Sequence, residues 1–367
     1  CEAAAACLDQ MAQSLGLRVA RYPDPAARYA DHRVYATPAA TGRALALVGH
    51  VDTVFPRALG FLDFRREGDR AHGPGVLDMK SGLSAIFFAL QALRTVAPQH
   101  FARLALRVVV VTDEEVGSPS SRALFTALAP RIDRALVFES GREGDRVVLR
   151  RKGSGEFRLR VTGRAAHSGL RHAEGVNAIH ALALLIPRVE TLTDYARGVT
   201  VNVGLIEGGT ARNTVPEQAS CLIDARFERI ADAETLQSAL QALADAPLPE
   251  RLAAARVTLE GRVARQRMEA TDAARTLLAA YTAHAAAAGL GVGEAPLQGG
   301  GSDASVLSAL GVPCLDGLGP FGEHFHRTDE WCSLDSLRRR TQALATFLAE
   351  QPTSGGRSRP DPGSKDR

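Results

Sequence analysis

Three short, almost wholly apolar runs, Ala44–Val48, Leu104–Val111 and Arg134–Phe138, constrain this chain more than any other feature. Each ends in polar residues, and helical stretches from about Lys80 to Thr95 and Ser120 to Leu128 separate them. Apolar runs of this length without alternation read as strands buried on both faces, and intervening helices make such strands parallel. The expected fold class is therefore α/β, a mostly parallel sheet with helices on both faces. The pattern resumes late in the chain, with a helix from Thr271 to Gly289, a Gly299-Gly300-Gly301-Ser302-Asp303 loop opening another helix, a strand at Pro313–Gly317 and a closing helix at Leu334–Glu350.

Between these halves the period changes. Glu156–Val161 alternates every second residue, Asn177–Leu192 has helical spacing, Thr200–Ile206 and Ala219–Phe227 read as strands, Ala233–Ala244 as a helix and Arg256–Gly261 as a strand. The order β-α-β-β-α-β predicts a ferredoxin-like α+β insertion. The expected organisation is a discontinuous catalytic domain at 1–154 and 267–351, an inserted domain at 155–266, and a disordered tail over 352–367 rich in Gly, Pro, Ser and charge.

Charge narrows the function classes. With 44 basic and 41 acidic side chains the net charge is only +3, and no basic stripe interleaved with aromatics points to nucleic acid. No apolar run reaches about 18 residues, so no membrane span is expected. The five cysteines, Cys1, Cys7, Cys221, Cys314 and Cys332, are odd in number and lack C-x-x-C spacing. That disfavours a disulfide framework and favours a reducing compartment. A cytoplasmic location is expected, or a periplasmic one if an export signal preceded Cys1.

The chemistry gathers where open α/β sheets place it, at the carboxyl ends of strands. His50 and Asp52 follow the first run, Asp113-Glu114-Glu115 the second and Glu139 the third, while Asp78 precedes a helix. Each has a commonplace reading alone: a loop histidine, a helix N-cap, a solvated acidic pair, a salt-bridged carboxylate. Together, one imidazole and several carboxylates on one sheet edge form a donor set suited to zinc or a similar divalent ion. Without cations these carboxylates would repel one another and their pKa values would rise.

The order of motifs resembles the M20 metallopeptidase family, in particular its glutamate carboxypeptidase and aminoacylase branch. The residues that carry the resemblance are Gly49-His50-Val51-Asp52-Thr53-Val54, Gly75-Val76-Leu77-Asp78-Met79-Lys80, Asp113-Glu114-Glu115-Val116-Gly117, Phe138-Glu139, Gly163-Arg164-Ala165-Ala166-His167-Ser168-Gly169, Gly208-Gly209-Thr210-Ala211-Arg212-Asn213, Gly299-Gly300-Gly301-Ser302-Asp303 and a late histidine before Glu330-Trp331. It implies a zinc-peptidase-like fold with a lid, two Zn2+ per chain (Co2+ or Mn2+ suiting similar ligands), and hydrolysis of an amide or peptide bond next to a free carboxylate.

Site roles follow from the same resemblance. His50 and Glu139 would hold one metal, Glu115 and His326 the other, and Asp78 would bridge them. Asp52 would orient His50, and Glu114 would serve as general base. The Asp78–Met79 peptide would be cis. His324 is the alternative to His326, whose spacing before Glu330 fits better. His167 resembles a lid histidine that reaches the oxyanion. Asn213 and Arg226, with Arg212 a weaker choice, are candidates for the substrate carboxylate, although Arg226 in Asp224-Ala225-Arg226 fits a strand salt bridge equally well. Gly301 and Ser302 would let substrate approach the backbone. A homodimer through the inserted domain is implied, with a small peptide or N-acyl amino acid as substrate. Deacylation of N-acyl amino acids, desuccinylation and dipeptide cleavage are alternatives within the family. A non-catalytic binding protein is the alternative outside it.

Overall fold

In a computed structural model that describes residues 1–353, the Leu106–Val111 and Ala44–His50 strands lie side by side and parallel at the centre of a six-stranded sheet. The sheet runs Arg18–Tyr22, His32–Ala36, Leu106–Val111, Ala44–His50, Ile132–Val137, Cys314–Leu315. The last four strands pair in parallel and the first two antiparallel to their neighbours. Leu45 and Leu47 enter a core with Ile86, Phe87 and Leu90 of the Lys80–Val96 helix, joined by Tyr281 and by Leu344 and Phe347 of the closing helix. Ala46 and Val48, pointing the opposite way, are buried as well. On that account the two central strands could not alternate polar with apolar, which is why their runs read as continuous.

Register puts the carboxyl ends level. His50 pairs with Val111, and Val48 with Val137, so Asp113–Glu115 and Glu139 emerge from the same edge as His50. The two outer strands, Arg18–Tyr22 and His32–Ala36, were not expected. The first is an exposed edge, and the second buries His32 and Arg33. Arg33 is tolerated inside because Glu2 at 2.6 Å and Asp9 at 3.4 Å neutralise it.

This first unit comprises Cys1–Leu149, Glu269–Pro296 and the chain from Ser302. The second unit comprises Arg150–Met268 and Leu297–Gly301. The glycine segment joins the second unit because Lys152 N donates to Gln298 O at 2.9 Å and the Arg151 guanidinium to Gly300 O at 3.0 Å. In the second unit, strands Thr200–Gly208, Gln218–Phe227, Gly153–Thr162 and Arg256–Arg265 form an antiparallel sheet in that spatial order. With the helices Ala178–Glu190 and Ile230–Asp245 this is the ferredoxin-like β-α-β-β-α-β arrangement. Alternate residues Ala219, Cys221, Ile223, Ala225 and Phe227 point into its core. No described helix is long and apolar enough to cross a membrane. All five cysteines are free thiols. Of the tail expected at 352–367, residues 354 onward lie outside the described residues.

Candidate metal centre

His50 ends its strand fully buried, with its ring fixed on both sides. Its Nδ1 lies 3.1 Å from the Asp52 backbone carbonyl and 3.4 Å from the Asp52 carboxylate. A proton on Nδ1 leaves the Nε2 lone pair facing Asp78 Oδ1 at 3.2 Å and Glu139 Oε1 at 3.8 Å. That is the tautomer a metal ligand needs. The other Asp52 oxygen accepts the Glu115 backbone N–H at 2.9 Å, so one carboxylate ties the His50 strand to the acidic turn after Val111.

Asp78 faces two imidazoles at once. Its second oxygen, Oδ2, lies 3.3 Å from His326 Nε2, and that nitrogen is also 3.3 Å from Glu115 Oε2. His324 turns away, its Nδ1 3.0 Å from Asp329 Oδ2. The structure thus brings His326 and not His324 to the cluster. Potential donor atoms of His50, Asp78 and Glu115 all lie within 4.8 Å of one another, as do those of His50, Glu114 and Glu139.

These separations can be tested against a metal's own geometry. Tetrahedral ligands about 2.0–2.1 Å from zinc stand roughly 3.3 Å apart. Of the four distances from the Nε2 atoms of His50 and His326 to Asp78, Glu115 and Glu139, three are 3.2–3.3 Å and one is 3.8 Å. Nitrogen and carboxylate oxygen are the donors such an ion takes, so the residues fit the group.

Burial and mutual repulsion set the protonation of the cluster. Burial, then repulsion from Asp78 and Glu114, raises Glu115 to about 8. Burial and Asp78 raise Glu139 to about 7. Hydrogen bonding to Asp78 raises His326 to about 9 against the opposing effect of burial. Burial would lower His50, but Asp52, Asp78 and Glu139 hold it well above the ordinary imidazole value. Asp78 moves the other way, because His326 and His50 outweigh its burial. Protons thus supply the positive charge that the carboxylates demand.

The Asp78–Met79 peptide is cis. The turn before it is held by Glu330, which is completely buried. Glu330 Oε1 accepts the N–H groups of Leu77 at 2.7 Å and Asp78 at 3.0 Å, and Oε2 accepts that of Gly75 at 3.3 Å. Gly75 itself sits at φ +72° with Asp78 O 3.0 Å from where a Cβ would stand. Sequence reasoning used Glu330 only to count back to the histidine. An acidic residue between Asp329 and Trp331 was visible, but its partners lie about 255 residues away in sequence.

The remaining candidates fall elsewhere. In the second unit, His167 is exposed and its Nδ1 accepts N–H bonds from Gly169 and Leu170. Asn213 is an exposed turn residue whose carbonyl accepts the Ser168 N–H, and Arg212 is exposed in the same turn. Arg226 forms a two-bond fork with Asp224 at 2.8 Å on its own strand. Gly301 lies against Arg265, whose Cδ is 2.8 Å from the position a Cβ would take. In the first unit, Ser302 caps the Asp303–Ala309 helix, and its hydroxyl donates to Asp316 Oδ2 at 2.6 Å.

A parallel α/β sheet that gathers two imidazoles and several buried carboxylates at its carboxyl edge is the framework of a metal-dependent hydrolase. The chain belongs to peptidase family M20/M25/M40, whose model matches residues 46–350, a family that acts on peptide and related amide bonds. It is 29% identical to carboxypeptidase G2 of Pseudomonas sp. (strain RS-16), covering 94% of this chain and 82% of the relative. It is 32% identical to a putative succinyl-diaminopimelate desuccinylase of Mycobacterium tuberculosis, covering 82% and 81%. A tripeptidase from Staphylococcus aureus superposes with a TM-score of 0.76 at 21% identity over 94% of this chain and 92% of that one, which speaks to the fold.

Proposed function

We propose that this chain is a two-metal hydrolase that cleaves an amide bond adjacent to a free carboxylate, in the manner of a glutamate carboxypeptidase. The observation that carries the reading is Asp78, whose two oxygens each face a different imidazole, His50 at 3.2 Å and His326 at 3.3 Å. A carboxylate so placed suits a bridge between two ions. His50 and Glu139 would hold one, Glu115 and His326 the other, with zinc the favoured metal.

Bound there, two dications supply Lewis acidity toward the scissile carbonyl and the attacking water. The chain does the rest. Glu114 takes a proton from water as its oxygen bonds to the acyl carbon, then delivers that proton to the leaving nitrogen as the C–N bond breaks. The products are a carboxylic acid and an amine. Asp52 keeps the His50 ring aligned, and Glu330 keeps the Asp78 turn in place.

In the same proposal the second unit acts as lid and dimerisation module. His167 approaches the developing oxyanion, and Asn213, Arg226, Gly301 and Ser302 are the substrate-binding candidates. Arg226 would have to exchange Asp224 for a substrate carboxylate, and Ser302 would act through its backbone, its hydroxyl being held by Asp316. The outer strand Thr200–Gly208 leaves Leu205 and Ile206 exposed at a sheet edge, which suits pairing with a second copy.

The test is metal content and turnover together. Zinc-loaded wild-type protein should bind two metals per chain and hydrolyse at least one of N-acyl-glutamate, N-acyl-ornithine or a dipeptide. Asp78→Asn should lower both. Purified protein that binds no zinc, cobalt or manganese would sink the reading.

A further inference from the structure

His32 takes no part in the proposed chemistry, yet its ring is almost wholly buried, at 2% exposure. It opens the His32–Ala36 strand, which pairs antiparallel with Leu106–Val111. The latter strand runs out into the loop that carries Glu114 and Glu115, and the His32 ring reaches both ends of that loop. Its Nδ1 is 3.2 Å from Thr112 Oγ1, directly before Asp113. Its Nε2 is 3.2 Å from the Oγ of Ser120, the residue that begins the Ser121–Leu128 helix.

The hydrogen bonds settle which nitrogen carries the proton. Thr112 Oγ1 donates to Ala30 O at 2.6 Å, so it accepts from Nδ1–H, and Nε2 is left as an acceptor for the Ser120 hydroxyl. Asp24 is a second acceptor for that hydroxyl, but a proton given to Asp24 would set the lone pairs of Oγ and Nε2 against each other. Burial favours the neutral ring against the pull of Asp113 and Asp24.

Other bonds tie the loop elsewhere. Asp113 closes it on itself, Oδ2 accepting the N–H groups of Ser120 at 2.6 Å and Ser121 at 3.1 Å. Ser118, at φ +57°, donates its hydroxyl to Asp303 Oδ1 at 2.7 Å. Asp52 holds the Glu115 N–H at 2.9 Å. Glu115 therefore has an anchor of its own, on the His50 side. His32 is what fixes the two ends of the loop to the neighbouring strand.

We infer that His32 is a positioning residue for the hydrolytic site: it clamps both ends of the loop that presents Glu114, and so sets where the general base stands. The inference rests on the hydrolase reading above and adds a residue to it. A base displaced by about 1 Å can lose about 10²-fold in rate, so a clamp remote from the reacting atoms has a kinetic consequence.

The test compares His32→Ala, His32→Asn and His32→Gln in the full chain. Amide hydrogen exchange of the metal-free protein reads the clamp without any chemistry. In His32→Ala the peptide covering 113–121 should exchange at least about tenfold faster, while the Ala44–His50 strand and the Lys80–Val96 helix keep their rates. With zinc loaded, kcat of His32→Ala should fall about 10–100-fold on whichever N-acyl amino acid or dipeptide the wild type accepts. KM should stay within about twofold, and metal content should stay at the wild-type level. An Asn amide can donate near the Nδ1 position and a Gln amide can bond near Nε2, so the better of the two should recover at least about fivefold in kcat. Should His32→Ala fail to fold by circular dichroism, Ser120→Ala, which removes the partner of Nε2, carries the same readings. Faster exchange throughout the first unit, or a lower Tm with kcat unchanged, would make His32 a residue of stability alone and overturn the inference while leaving the hydrolase standing. Unchanged exchange in 113–121 also overturns it. A wild type that turns over none of the substrates overturns both.

Discussion

The two sheets of this protein handle charge in opposite ways. At the carboxyl edge of the parallel sheet, Asp52, Glu114 and Glu139 are buried around His50, and Glu115 and Glu139 are pushed to about 8 and about 7. In the second unit Arg160 meets Glu260 at the exposed face of the sheet and the buried Asp232 is paired with Arg229 at 2.9 Å, while Leu159, Val161, Ile223 and Leu240 fill the core. The first sheet bears an electrostatic load that bound protons or metal cations relieve. The second is organised around a continuous apolar core. Removing a group from one should therefore register as lost chemistry, and from the other as lost folding.

The sharpest way to break that contrast is Glu114→Gln. Removing a general base lowers rates by about 10²–10⁴-fold, so kcat should fall by that order while metal content by elemental analysis stays at the wild-type level. Loss of metal instead would make Glu114 a ligand. In the second unit, Leu159→Ala should destabilise the protein by about 2–5 kcal/mol through the cavity it leaves. Denaturant titration reads that loss, and folded variant should still bind metal normally. Glu330→Gln comes next. An amide cannot accept from Gly75 with the same end that donates, so the Asp78 turn should loosen and metal affinity by competition titration should fall about 10–100-fold. Unchanged affinity would show that the three backbone bonds are dispensable.

The smallest effect concerns pH in the metal-free protein. Glu115 is raised from 4.5 to about 8 and His326 from 6.5 to about 9. Both groups bind protons more tightly when folded, so each contributes stability that is present below its unfolded value and lost as pH rises through the folded one. Asp78, lowered, contributes above its ordinary value and does not oppose the trend at neutral pH and above. Metal-free protein should therefore melt at lower temperature at pH 9 than at pH 6, and the rise in Tm on adding zinc should be larger at pH 9. Equal zinc-induced shifts at the two values would remove the link between proton load and metal site.

Much of the centre was legible because each donor sits beside an element with a strong local signature. His50 and Glu139 end apolar runs, Glu114 and Glu115 follow one, and Asp78 stands before a helix. The late histidine was less so. His324 and His326 differ by two positions in a loop with no periodicity, and only the fold turns one toward Glu115 and the other toward Asp329. Glu330 and the outer strands escaped for a related reason. Arg33 looks like a surface residue until Glu2 and Asp9 close on it, and the partners of Glu330 are backbone groups with no side-chain signature at all.

The order of apolar runs and helices, by itself, determined a parallel α/β sheet interrupted by a ferredoxin-like insertion, because hydrophobic period follows directly from backbone geometry. It also determined which residue types arrive at the carboxyl edge. The tertiary structure decided which imidazole faces Asp78 and Glu115 and which carboxylate braces the turn. Those outcomes depend on contacts between segments far apart in the chain, and such contacts leave no periodic trace in the residues that make them.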